Sequence, residues 1–256
     1  MSSLSSPNSE NSRPSISVSA EDQHDDQRSR GVSPCSDGLP VSYAGPGPEF
    51  PCRAARVIVI AEGEHDLEFL RRVSRILHDD DLRLPDLQAR EHSGEVILMP
   101  SGGSSLCHWV TRLASLGLPE FFIFDRETPS LTQERQQVAD RINRRRDCHA
   151  VLTGKRAIEN YVDSESLREV RGINVDFGDD DDVPALVARH LLERSGDPPW
   201  SDLSSRARRR LRNRAKIWLN RQAVSRMTAQ RLTARDPDGD IRLWLTTIGW
   251  LAGLCQ

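Results

Sequence analysis

The sequence predicts an α/β fold: a parallel sheet flanked by helices, with a helical C-terminal region and a disordered N-terminal tail. Three observations carry this. Four short apolar runs, at 57–61, 96–99, 121–124 and 149–152, alternate with segments of helical periodicity, the pattern of buried parallel strands joined by crossover helices. Beyond about Gly172 the strand runs stop and helical periodicity continues alone. Ahead of Arg56 there is no apolar periodicity.

The tail comes first. Residues 1–52 hold thirteen serines and seven prolines. They cannot bury enough apolar surface to offset the entropy of ordering, so disorder is expected there. Val57-Ile58-Val59-Ile60-Ala61 reads as a strand buried on both faces. Leu67, Leu70, Val73 and Leu77, flanked by Phe69 and Ile76, predict a helix after it. Val96–Met99 is the second strand and Pro100–Gly103 a turn. Leu106, Trp109, Val110, Leu113 and Leu116 predict the next helix. Phe121–Phe124 is the third strand, a polar helix runs to about residue 145, and His149–Leu152 is the fourth strand.

In the C-terminal part, helices are predicted over 183–194, 204–222, 224–234 and 240–254, with Gly178–Asp182 as an acidic linker or helix start. Leu203, Ala207, Leu211, Ala215 and Trp218 form one apolar stripe; Ile241, Trp244, Leu245, Ile248 and Leu251 form another. Trp218, Trp244 and Trp250 are expected in the core. The expected domains are a tail (1–52), an α/β domain (53–172) and a basic helical region (173–256).

Composition excludes several classes. Five scattered cysteines without a CxxC pair are neither a zinc framework nor a disulfide scaffold, and suit a reducing cytosol. No apolar run approaches the roughly 20 residues that span a bilayer, and no apolar segment near the N-terminus suggests a secretory signal. A cytoplasmic protein without a membrane partner is expected. The net charge of −3 conceals a polarity: residues 201–256 hold twelve basic residues and four acids.

Ligands of open parallel sheets bind beyond the carboxyl ends of the strands. Those ends are acidic here. Glu62-Gly63-Glu64-His65-Asp66 follows the first strand, Asp125-Arg126-Glu127 the third, and Arg156–Tyr161, with Glu159, the fourth. Any one of these acids alone reads as a solvated loop residue. Three groups on one edge would repel each other unless a cation joins them, and hard oxygen ligands favour Mg²⁺ or Mn²⁺. Two such ions about 4 Å apart can clamp a phosphate and activate water. Gly63 is expected to allow a sharp turn or a close approach. His65 is expected to be peripheral.

This order of residues resembles the Toprim domain shared by topoisomerases, bacterial primases, recombination mediators and the OLD (overcoming lysogenisation defect) nucleases. Glu62-Gly63 and Asp125-Arg126-Glu127 match its glutamate–glycine and D-x-D elements, with Glu as the second acid of the pair. The OLD branch is the more similar: Glu62 to Asp66 reproduces its E-x-x-x-D/E element, and Ala157-Ile158-Glu159 stands where it has S-x-E, with Ala for Ser. The similarity runs from Val57 to Tyr161. It implies a Toprim-like sheet, metal ligands Glu62, Asp66, Asp125, Glu127 and Glu159, and two bound Mg²⁺ or Mn²⁺ ions. It also implies a catalytic lysine, for which Lys216, 57 residues after Glu159, is the candidate beside Glu62 and Asp125. No G-x-x-x-x-G-K-[ST] motif is present, so an ATPase partner would be encoded separately.

Between Ser205 and Arg235 lie eleven basic residues and no acid, densest at Arg206, Arg208, Arg209, Arg210, Arg212 and Arg214. Such a surface suits a phosphate backbone; a solvated helix, or one paired with the acids of 179–182, is the plainer alternative. The chain holds 33 arginines and only two lysines, Lys155 and Lys216, so a retained lysine hints at a specific use. The expectation is a metal-dependent nuclease, with DNA the favoured substrate. The alternative is a non-catalytic nucleic-acid-binding or regulatory subunit working with a separate ATPase.

Overall fold

The structure, a computed structural model, describes residues 54–102, 112–196 and 198–254. The predicted tail and residues 106–111 of the helix predicted over 106–116 lie outside them. The described residues belong to one compact unit, Pro48–Gln256. Among them are four strands and eight α-helices.

The strands are β1 (Val57–Ala61), β2 (Val96–Pro100), β3 (Glu120–Phe124) and β4 (Cys148–Leu152), all parallel, in the order β2-β1-β3-β4. Each predicted strand is present, within a residue at either end. Helix α1 (Glu64–Asp80) follows β1, α2 (Leu87–His92) precedes β2, and α3 (Pro129–Asn143) links β3 to β4. Then come α4 (Ser164–Arg171), α5 (Val183–Ser195), α6 (Ser205–Trp218), α7 (Ala229–Arg235) and α8 (Asp240–Leu251). Helix α4 has no counterpart among the predicted elements, because it is short and holds only two large apolar residues, Leu167 and Val170. It is set by its ends: the Asp163 side chain accepts from Ser166 N, and Gly172 takes φ +61°.

The period of two along each strand sends alternate side chains to opposite faces. Val57, Val59, Phe121 and Ile123 enter the larger core, with α1. Ile58, Ile60, Phe122 and Phe124 enter the smaller one, with Val138, Ala139 and Ile142 of α3. The larger core also contains Ala215 and Trp218 of α6 and Ile241, Trp244, Leu245 and Ile248 of α8. It therefore runs straight through the boundary expected at 172/173. Tyr161, after β4, packs edge-on against Trp244 with ring centroids 5.3 Å apart, and its hydroxyl donates to Asp240 at the start of α8.

Three expectations need correction. The helix predicted over 204–222 leaves α-geometry at Trp218 and continues as a π-turn, Leu219–Ala223, in which Val224 N–H bonds to Leu219 O. The helix predicted over 224–234 is broken: a 3-10 turn, Val224–Arg226, ends at an extended Met227, and Thr228 then caps α7 by accepting from Arg231 N. Trp250 is not in the core. It is 67% exposed, whereas Trp218 and Trp244 are buried.

Because α8 shares the sheet's core, Trp244→Ala should cost about 3–5 kcal/mol, the usual range for a buried large aromatic. Denaturant unfolding followed by far-UV signal and by tryptophan fluorescence should give one coincident transition in the parent. Separate transitions there would show that the C-terminal helices fold apart from the sheet.

Candidate functional site

The carboxyl ends of β1, β3 and β4 lie side by side because β1 pairs with β3 and β3 with β4 in parallel register. Glu62 directly follows β1. Its Oε1 lies 2.7 Å from Arg135 Nη1 of α3, an ion pair without hydrogen-bond alignment. Asp66 is in the first turn of α1, buried, and its carboxylate accepts from Gly63 N at 2.8 Å. Asp125 directly follows β3, is buried, and accepts from Ile158 N at 3.0 Å. Its backbone carbonyl accepts from Arg135. Glu159 lies in a 3-10 turn, Ile158–Tyr161, after β4 and is fully buried.

Lys216 reaches this group from α6. Its ammonium is 3.4 Å from Glu159 Oε1 and 3.9 Å from Asp125 Oδ2. Asn220 Nδ2, from the π-turn, donates to the same Glu159 oxygen at 2.9 Å. The fold thus brings together Glu62, Asp66, Asp125, Glu159 and Lys216, residues spread over 155 positions of sequence.

Glu127 is placed differently. It takes φ +59°, unusual for a side-chain-bearing residue, and is held there by Glu127 N donating to Arg156 O at 2.7 Å. Its carboxylate is 3.9 Å from Arg156 Nε. Gly63, by contrast, has φ −143° and ψ 169°, extended backbone open to any residue. An added Cβ there would meet only an ordinary contact with Asp66 Oδ2, at 3.6 Å. The left-handed backbone at the site thus falls on Glu127.

Electrostatics follow from crowding. Burial, then the neighbouring Asp66 and Glu159, push Asp125 well above the usual carboxylate range. Burial and Glu159 push Asp66 up to about 7. Burial also raises Glu62, against the opposing Arg135. Burial alone would pull the Lys216 ammonium down, but Glu159, Asp125 and Asp66 outweigh it and hold it above the ordinary lysine range. Lys216 is therefore a fixed positive charge rather than a proton donor at neutral pH. His65 lies in the first turn of α1, where burial, Arg221 and Lys216 lower its pKa and Glu159 acts in the opposite sense.

The donor chemistry suits a hard cation. Glu159 Oε2 is buried without a hydrogen-bond partner, and so is Asn220 Oδ1. Among the described residues, however, no three His, Cys, Asp or Glu side chains form a group that could hold a metal ion. The positive charge at the cluster comes from Lys216 and Arg135 instead.

The arginines divide by helix face. Arg212 turns inward and pairs with Asp182 at 2.7 Å. Arg206, Arg209, Arg210 and Arg214 line a shallow outer groove with Asn213 and Ile217. Arg208 does not line that groove. Asp182 also caps α5 by accepting from Ala185 N. Asp179 pairs with Lys155 at 2.6 Å, and Asp180 pairs with Arg126. The acids of 179–182 thus hold Arg212 alone among the α6 arginines, as far as the described residues show. Sequence reasoning missed Arg135 and Asn220. The signal for Asn220 was a polar residue four places after Lys216, one helical turn on; Arg135 had none.

Carboxylates whose pKa is raised by folding bind more protons in the native state, so the stability they contribute falls as pH rises from the unfolded to the folded pKa. With Asp66 at about 7, protein in chelator should lose stability between about pH 4 and pH 7. Asp66→Asn should flatten that decline in a pH series of denaturant midpoints. An unchanged slope would remove Asp66 from the coupled cluster.

No helix among the described residues is long and apolar enough to cross a membrane. No family model matches this chain, and neither a curated protein nor a solved structure matches it.

Proposed function

We propose that this chain is a divalent-metal-dependent nuclease of the OLD-like Toprim type that hydrolyses phosphodiester bonds, with DNA as the favoured substrate. The observation that carries the reading is the meeting of Glu62, Asp66, Asp125 and Glu159 around Lys216, on a helix whose outer groove is lined by arginines. Carboxylates gathered at this cost in mutual repulsion need a purpose, and holding Mg²⁺ or Mn²⁺ is the one that hard oxygen donors at strand ends serve.

Glu62, Asp66, Asp125 and Glu159, with Glu127 at the rim, are the acids that would hold the ions, and they would have to draw closer to do so, since no three of them form such a group in this structure. Such ions supply a water-derived nucleophile and clamp phosphate oxygens. The protein's own groups do the rest. Lys216, kept positive by its neighbours, stabilises charge building on the phosphate. Arg206, Arg209, Arg210 and Arg214 carry the flanking backbone by charge rather than by sequence. A separately encoded ATPase fits this reading as a partner.

A second reading, a non-catalytic nucleic-acid-binding or regulatory subunit, is favoured by one observation: Glu127 faces Arg156.

Purified protein should cleave plasmid DNA with Mg²⁺ or Mn²⁺ and not in chelator. Glu62→Gln and Asp125→Asn should abolish cleavage with the fold retained. Lys216→Arg should bind DNA nearly normally but cleave about tenfold or more slowly, since a planar guanidinium cannot occupy the same point. Absence of cleavage by the parent, with DNA binding intact, would favour the second reading.

Replacing Arg206, Arg209 and Arg210 with Gln should weaken binding to unrelated sequences about equally. It should also flatten the dependence of log affinity on log salt, by roughly one unit for each phosphate that is no longer neutralised. An unchanged salt slope would make the groove an ordinary solvated helix face.

A further inference from the structure

A half-enclosed cavity between α5 and α6 has no part in the reading above, and no residue of the carboxylate cluster lines it. Its volume is about 320 Å³, within the range of small-molecule sites, which recur between packed helices. Ala188, Leu191 and Leu192 of α5 form one wall; Leu211, Ala215 and Trp218 of α6 form the other. Interiors are normally filled to the density of organic crystals. Walls of this kind left open to water gain free energy when an apolar body covers them.

The polar groups of the lining share one sign. Arg171, the last residue of α4, and Arg214 belong to it, and no acidic residue does. Other arginines on these helices are neutralised: Arg168 pairs with Glu165 at 2.6 Å, and Arg212 with Asp182 at 2.7 Å. Arg171 and Arg214 have no such acid among the described residues. Ser195 already donates to Leu192 O at 2.7 Å. Trp218 is buried, and its indole N–H has no acceptor, a costly state for a buried donor. The cavity thus offers apolar walls, two positive charges and an unused donor, with no carboxylate to repel an anion.

This combination selects among ligands. A cation would be repelled by the two guanidiniums, and a neutral hydrocarbon would leave them unused. A nucleobase would need an open aromatic face, but the Arg171 guanidinium already covers the Trp218 ring, 5.7 Å from its centroid. A carboxylate on an apolar body matches both halves. Guanidiniums hold carboxylates by charge-assisted hydrogen bonds, while the body takes the walls out of water.

We propose that the cavity between α5 and α6 binds a small apolar carboxylate, its body against Leu191, Leu211 and Trp218 and its head on Arg171 and Arg214. The site stands apart from the phosphodiester reading and does not depend on it.

Octanoate, octanol and octylammonium carry one apolar body under an anionic, a neutral and a cationic head, and each can be titrated into the full-length protein. Calorimetry gives the affinity. The ¹⁵N-labelled indole signals, with that of Trp218 assigned by Trp218→Phe, give the location. Octanoate should move the Trp218 signal and bind about tenfold or more tightly than octanol, the scale of one charge-assisted hydrogen bond. Octylammonium should leave that signal in place. Replacing Arg171 and Arg214, both exposed, with Gln should bring octanoate down to the affinity of octanol. Ala188→Leu, which fills the cavity, should weaken octanoate and octanol alike; should it fail to fold, the exposed arginine pair still decides. No octanoate binding, equal affinity for octanoate and octanol, an unmoved Trp218 signal at saturating octanoate, or parental octanoate affinity in the double Gln variant each overturns the assignment.

Discussion

The contact between the Lys216 ammonium and the carboxylates of Asp125 and Glu159 is the constraint on which the surrounding structure depends. Buried carboxylates cannot be gathered without compensating charge, and desolvation makes the penalty steep. The compensating group comes from α6, far along the chain, so the site exists only when the C-terminal helices are docked on the sheet. Ala215 and Trp218, on either side of Lys216, bury themselves in the same core as Val57 and Val59. Hydrophobic docking and charge balance are therefore achieved by the same turn of helix.

The same logic explains why the C-terminal part is not a free appendage. Tyr161 lies just beyond Glu159, and its ring meets Trp244 of α8. Asp236 accepts from the backbone amides of Asp240 and Ile241, fixing the start of that helix. The strand-end loop that carries Glu159 is thereby tied to a helix beyond residue 200. The sheet supplies the carboxylates; the helices behind it hold them in register.

Much of this was legible in the sequence, for a physical reason. Continuous apolar runs of this length suit buried strands of a covered sheet, so β1 to β4 appear within a residue of their observed bounds. The rule that strand ends face ligands then pointed to Glu62, Asp125 and Glu159 without a structure. What was not legible depends on helix phase. Eleven basic residues between Ser205 and Arg235 read as one surface, but the periodicity of α6 sends Arg212 inward to Asp182 and Arg209 and Arg210 outward. Asn220 was overlooked because it stands beside the polar Arg221-Gln222 pair, although it lies one turn after Lys216, and apolar spacing carries no mark of the π-turn that begins at Leu219. Trp250 shows the opposite failure: the stripe was real, but the helix presents that position to solvent.

The π-turn also makes chain length a chemical variable. An α-helix advances about 100° per residue, so deleting one residue between 219 and 223 would restore α-geometry by rotating everything on one side of the cut. The apolar residues Val224 and Leu232, both buried in the larger core, would then turn away from it. Loops elsewhere on such a protein accept insertions and deletions freely; this short stretch, though it joins two helical segments, has its length fixed to the residue.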